Sequence, residues 1–196
     1  MRYTLGVILL FVLGSAQAAL IDRGGGFIYD DVLDITWTQT ANINGPDSWL
    51  NQVAWADGLS IYDSLRDVTW DDWRLPSMDV NGDGMVVDCA IVAEAECRDN
   101  EYGYLGWQNG ISFSAPGPFT IDASGAFWSS TDADGGVWFF DMRFFGQGQG
   151  GIRPSTTAYA WAVMDGDVVP IPAAVWLFGS ALAGLGFVRK RERLCR

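Results

Sequence analysis

The stretch GGGFIYDDVLDITWTQ, residues 24–39, combines β-branched and aromatic residues on either side of an acidic turn. It predicts two short strands, 27–29 and 33–38, and with them a domain built partly on antiparallel pairing. Downstream, NGPDSWLNQVAWADGL has the pattern of an amphipathic helix. Asp47 or Ser48 can cap it, Trp49, Val53 and Ala56 share one face, and Gly58 can stop it. A loop then leads to DDWRLPS, where Pro76 implies an edge or a bend and Arg74 is placed to pair internally with one of many acids. CAIVAEAEC and NEYGYLGWQ predict short helices, the second capped by Asp99 or Asn100 and weakened by Gly103 and Gly106. AFWSSTDADGGVWFFDMRFF predicts two strands around a Gly-rich turn, with Trp128, Trp138 and Phe140 in the core. GQGQGG reads as a flexible connection. AYAWAVMDGDV reads as a last strand that alternates Tyr159, Trp161 and Val163 against alanines. No repeat with a period of twenty to fifty residues is read from the chain. This order of elements predicts a mixed α+β domain, a single one given 196 residues.

The two ends read differently from the middle. Arg2 precedes the apolar run 5–13, and small residues at Ala16 and Ala18 complete the pattern of a secretory signal peptide over residues 1–18. Near the other end, residues 173–188 carry no charge, which as a helix is about 24 Å long, slightly short for a hydrocarbon core of about 30 Å. Arg189, Lys190, Arg191 and Arg193 follow, and such a cationic end stays cytoplasmic while the acidic bulk faces outward. Export is thus expected through a Sec-type machinery, with the membrane as a partner of the C-terminal segment.

Between the signal peptide and the basic tail, residues 19–188 hold six arginines and no lysine against twenty-three acids, a net charge of −17. Nucleic-acid binding is excluded by the lack of a basic face. Divalent cations or a solvated acidic surface are the natural counterparts. The chain has no histidine, so serine or cysteine triads of the usual kind cannot be assembled, and no catalytic constellation is recognisable. A non-enzymatic role is expected.

DVNGDGMVVDC is the stretch with the most pointed chemistry. Asp79, Asn81 and Asp83 supply oxygens at alternate positions, Gly84 allows a sharp turn, and Met85 sits where a calcium loop offers a backbone carbonyl. Position twelve of such a loop is Ala90, so a complete EF-hand fails, and Asp88 or Glu94 would have to substitute. The alternative is a pair of Asn-Gly and Asp-Gly turns whose side chains satisfy local backbone. Cys89 and Cys97 can bridge a short loop if exported, and Cys195 belongs to the cytoplasmic tail. Nine tryptophans lie in the exported region. Most are expected in the core, and an exposed one would offer a sugar-stacking platform.

Two resemblances add to this reading. VPIPAAVWLFGSALAGLGFVRKRER, residues 169–193, resembles the PEP-CTERM sorting signal of Gram-negative bacteria. That resemblance implies a chain of three parts: a signal peptide 1–18, an exported domain 19–168 and a sorting signal 169–196. It further implies recognition and cleavage by an exosortase around Val169, Pro170, Ile171, Pro172 and Ala173, and an association with exopolysaccharide. Prolines there keep the backbone extended outside the membrane. Second, LIDRGGGFIYDDVLDITWTQ, WRLPS, GPFT, FWSST and AYAWAV occur in the order found in the Lcl C-terminal-like family. This implies a C-type-lectin-like fold related to that of formylglycine-generating enzymes, and a surface-adhesion role with polysaccharide as a partner. Where relatives often end in VRP, this chain has Val163, Met164 and Asp165. Together they imply an exported surface or matrix protein, with a permanently anchored single-span protein as the alternative.

Overall fold

A computed structural model describes residues 20–143 and 149–169. Strands β1 (Leu20–Gly24), β2 (Phe27–Asp30) and β3 (Ile35–Thr38) form an antiparallel meander, and β9 (Val163–Asp165) closes it in the order β1-β2-β3-β9. Helix α1 (Trp49–Asp57) follows, then a hairpin of β4 (Ile61–Asp63) and β5 (Val68–Trp70). Two short helices, α2 (Glu94–Cys97) and α3 (Glu101–Gly103), come next, α3 continuing as a π-helical turn over Tyr104–Gln108. A second antiparallel sheet is made of β6 (Ala126–Ala133), β7 (Gly136–Asp141) and β8 (Gln149–Ile152). The α+β class is therefore observed, with mostly antiparallel sheets and few helices. Among the described residues no helix is long and apolar enough to cross a membrane. The signal peptide 1–18 and the span expected over 173–188 lie outside the described residues.

Aromatic side chains carry the core. Trp37, Tyr102, Phe119, Phe140 and Trp161 are buried together, Tyr102 stacked on Phe140 at 5.5 Å and Phe119 set edge-on to Trp161 at 4.8 Å. Offset and edge contacts of this kind add about 1 kcal/mol each to the burial of large apolar area. Trp161 donates to the Thr38 carbonyl and Trp128 to the Asp47 carbonyl, whereas the buried indole nitrogens of Trp37 and Trp107 have no hydrogen-bond partner. None of the nine tryptophans is an exposed platform: Trp37, Trp73, Trp128 and Trp161 are buried and Trp49, Trp55, Trp70, Trp107 and Trp138 partly so.

Segments distant in sequence are joined by backbone hydrogen bonds outside the three sheets. Thr38 donates to Ala162, Arg74 to Val163, Thr120 to Gln39, Ser130 to Pro76 and Trp128 to Tyr159, all between backbone groups. Each segment is short, and its backbone groups are satisfied only when the others are in place.

Several expectations are corrected. Strand β3 begins at Ile35 rather than residue 33, because Asp30 Oδ1 accepts the N–H groups of Val32 and Leu33 and Asp34 is left-handed at φ 54°. The Gly-rich stretch is not merely a connection: residues 149–152 are strand β8, and its glycines allow close approach. A Cβ on Gly150 would lie 3.3 Å from the Phe139 ring, and one on Gly151 would lie 3.1 Å from Ala133. In AYAWAVMDGDV only the last three of those residues that pair, Val163–Asp165, belong to a sheet. Upstream, Ala158 and Tyr159 make isolated bridges, and both faces of the segment are buried. The two predicted helices around residues 89–108 shrink to Glu94–Cys97 and Glu101–Gly103 with its π-helical turn. Trp138 is only partly buried, unlike Trp128 and Phe140.

The larger correction is an internal repeat. The segment read as a loop before DDWRLPS contains IYDSLRDVTW, residues 61–70, which matches IYDDVLDITW, residues 28–37, at six of ten positions. Both form hairpins with the same register, Ile28 opposite Trp37 and Ile61 opposite Trp70. In both, the first aspartate, Asp30 or Asp63, accepts two turn amides, the tyrosine hydroxyl donates to the last, Asp34 or Asp67, and that aspartate has φ 54°. The period is thirty-three residues, with two copies.

Candidate cation site in an acidic loop

The acidic loop and the disulfide form one unit. Asp79 begins it, and its carboxylate is used along its whole length. Oδ1 accepts the N–H of Gly82 at 2.9 Å and of Asp83 at 3.1 Å, and Oδ2 accepts Gly84 at 2.9 Å. Asn81 Oδ1 accepts Asp83 N–H, and Asp83 Oδ1 accepts Met85 N–H, each at 2.8 Å. Gly82 and Gly84 both have positive φ, which a short loop folded around a carboxylate requires.

The chain then runs to Cys89, which is bonded to Cys97 with Cα atoms 5.0 Å apart. That link turns α2 back, and Asp99 arrives beside the loop. Its Oδ1 accepts Asn81 N–H at 2.7 Å, its Oδ2 accepts Asn81 Nδ2 at 3.1 Å, and its carbonyl accepts Val80 N–H at 3.0 Å. Asp79, Asp83 and Asp99 each present an oxygen, and the three lie within 4.8 Å of one another. That spacing suits a cation with oxygen ligands at about 2.3–2.6 Å. A depression lined by Val80, Asn81, Asp83, Val87, Glu96 and Asp99 opens beside them.

Of the residues expected here, Asp79 and Asp83 are brought together. Asn81 ties the loop to Asp99, Met85 is exposed and held through its amide, and Asp88 turns away to accept Ala90 N–H at 3.0 Å. Glu94 also lies elsewhere, paired with Arg98 and bonded to the Tyr104 hydroxyl. Asp99 was not anticipated as a neighbour of this loop. The signal for it is the Cys89–Cys97 spacing, which, once bridged, returns the chain to the loop two residues later. The turns are held by side-chain oxygens, and three carboxylates converge beside them.

Elsewhere several arginines are engaged. Arg74 forks onto Glu101 at 2.7 and 2.8 Å and reaches Asp165, Arg66 pairs with buried Asp63, Arg23 with Asp167 and Arg143 with Asp141. Arg74 is thus the internal ion-pair partner expected, and Asp165 is one of its acids. At the far end of the described residues, Val168 is buried and Val169 half exposed. Pro170, Ile171, Pro172 and Ala173 of the expected cleavage region, and Arg189, Lys190, Arg191 and Arg193, lie outside the described residues. No protein-family model and no curated protein matches this chain.

Proposed function

We propose that this is an exported, non-enzymatic bacterial envelope or matrix protein, delivered by a C-terminal exosortase-type sorting signal. The observation that carries the proposal is the ordered pattern of residues 169–193: proline motif, uncharged span, cationic end. The Cys89–Cys97 disulfide supports the same reading, since such bonds persist in oxidising compartments. Within it, the body of the chain is a C-type-lectin-like module of the Lcl C-terminal-like family. The backbone hydrogen bonds that link its motifs and the mixed, mostly antiparallel architecture support that assignment. The acidic loop at Asp79, Asp83 and Asp99 is the place where calcium would add to this module, and an extracellular polysaccharide is its proposed partner. The experiment is fractionation of cells that express the full chain, with and without an exosortase. Release of a form lacking the basic tail only in its presence supports the proposal. Retention of the uncleaved chain in both identifies a permanent single-span protein instead and overturns the sorting step.

A further inference from the structure

The duplicated hairpin provides its own comparison. In the first copy both flanks are used: β1 pairs with β2, and β9 pairs with β3. Arg23 of β1 lies over the Tyr29 ring, 5.1 Å from its centroid, and Thr36 donates to the Gly166 carbonyl beyond β9 at 2.7 Å. In the second copy the equivalent positions are Tyr62 and Thr69. Tyr62 donates to Asp67 as Tyr29 does to Asp34, but the residue is 61 % exposed, and Thr69, opposite it, is exposed too. Among the described residues no strand pairs with either edge of the β4–β5 hairpin, and no cation lies over Tyr62. The inner face is engaged: Ile61 and Trp70 pack on the core around Trp73, and Asp63 is buried against Arg66.

We propose that the β4–β5 hairpin is a docking edge for an extended, arginine-bearing strand of another chain, received as the first hairpin receives β1. Three observations specify the occupant. The edge residues Ile-Tyr-Asp are the same in β2 and β4, so a strand that fits one has the backbone and side-chain complement of the other. In β1, Ile21 stands opposite Tyr29, and Arg23 follows at the bulge between Asp22 and Gly24, from which its guanidinium lies over the ring. The surroundings of Tyr62 ask for the same charge: Asp67, which accepts its hydroxyl, is exposed, and the nearby Arg66 is committed to Asp63 and to the Arg23 carbonyl. An uncharged or acidic strand would leave the Asp67 carboxylate without a cation. This inference is independent of where the protein is delivered.

The test uses the full chain and a fluorescent peptide with the sequence of residues 20–26, acetylated and amidated. Fluorescence anisotropy is expected to show saturable binding, weakened about fivefold or more when the peptide arginine is replaced by glutamate. Tyr62→Ser should give a similar loss. So should Asp67→Asn, which removes the charge while tolerating the left-handed backbone. Thr69→Lys sets a cation on the proposed docking face and should also weaken binding, with unchanged thermal melting showing that each variant folds. No saturation up to about 1 mM peptide, or equal affinity for wild type and Tyr62→Ser, would overturn the proposal.

Discussion

Asp30 and Asp63 hold the same place in two hairpins of nearly the same sequence, yet their carboxyls are driven in opposite directions. Burial pushes Asp30 up, against the amides of Leu33 and Val32 and the side chain of Asn109. Burial pushes Asp63 up as well, but Arg66, the Trp70 indole and the Leu65 amide outweigh it and hold the carboxyl below its ordinary value. The first of these partners is absent from the first copy: Leu33 stands where the second copy has Arg66.

The pH dependence follows from these signs. Folding favours the protonated form of Asp30, so stability falls as pH rises from its unfolded value, about 3.9, through its raised folded value. Folding favours the ionised form of Asp63, whose contribution is complete above about 3.9 and lost as pH drops through the folded value. Asp30→Asn should therefore raise stability at pH 7. Asp63→Asn should lower it by about 3 kcal/mol, by leaving Arg66 without its buried partner. Urea unfolding of both variants across the acid-to-neutral range checks this, and destabilisation of equal size at pH 7 would refute it.

Arg74 is held by two acids of unequal weight. Glu101 is nearly fully buried and also accepts Ser77 N–H at 2.7 Å, whereas the Asp165 side chain is 78 % exposed. Arg74→Ala leaves Glu101 buried without its cation and should cost about 3 kcal/mol. Asp165→Asn should cost less than about 1 kcal/mol. Arg74→Lys keeps the charge but loses the fork and should fall between them. Thermal melting ranks the three, and a loss in Asp165→Asn as large as in Arg74→Ala would contradict this division.

The disulfide tethers the end of the acidic loop to α2. Replacing Cys89 and Cys97 by serine should cost about 2.5 kcal/mol of stability in the chain-entropy view of a short closed loop. Behind the bond there is no slack: a Cβ on Gly103 would lie 2.7 Å from Cys89 Sγ and 2.8 Å from the Asn100 side chain. Gly103→Ala should thus destabilise by more than about 1 kcal/mol despite its better helix propensity. Chemical denaturation measures both, and a neutral Gly103→Ala would show that the packing yields.

Calcium binding separates a cation site from a self-satisfied turn. Titration calorimetry of the full chain should give a dissociation constant of about 0.1–1 mM, the range of extracellular calcium modules. Asp83→Asn and Asp99→Asn should each weaken it about tenfold, and Asp88→Asn should leave it unchanged. Binding raises the melting temperature by mass action, so a melting curve that calcium does not move at saturating concentration would remove the cation from the account.

Legibility followed locality. Helix α1 could be read because its cap region, apolar face and Gly58 stop are contained in one short window. The paired strands β6 and β7 and the internal role of Arg74 were legible for similar reasons of composition. Strands β1 and β8 were not: one is only half buried and the other is largely glycine, so neither shows alternation. Their pairing depends on Tyr29 and Phe139 from other strands. The repeat escaped because its two copies have different flanks, GGGF before one and DGLS before the other, and different burial. Asp99 could not be placed beside Asp79 from spacing alone, since the disulfide and α2 bring it there.

The central claim is delivery across the membrane, followed by removal of both ends. Intact-mass measurement of the chain recovered from the cell surface or medium of an exosortase-bearing host tests it most directly. The expected mass lacks residues 1–18 and the basic tail beyond the proline motif, and is lower by two hydrogens for the Cys89–Cys97 bond. A full-length chain recovered from the cytosol with free thiols at Cys89 and Cys97 would contradict it.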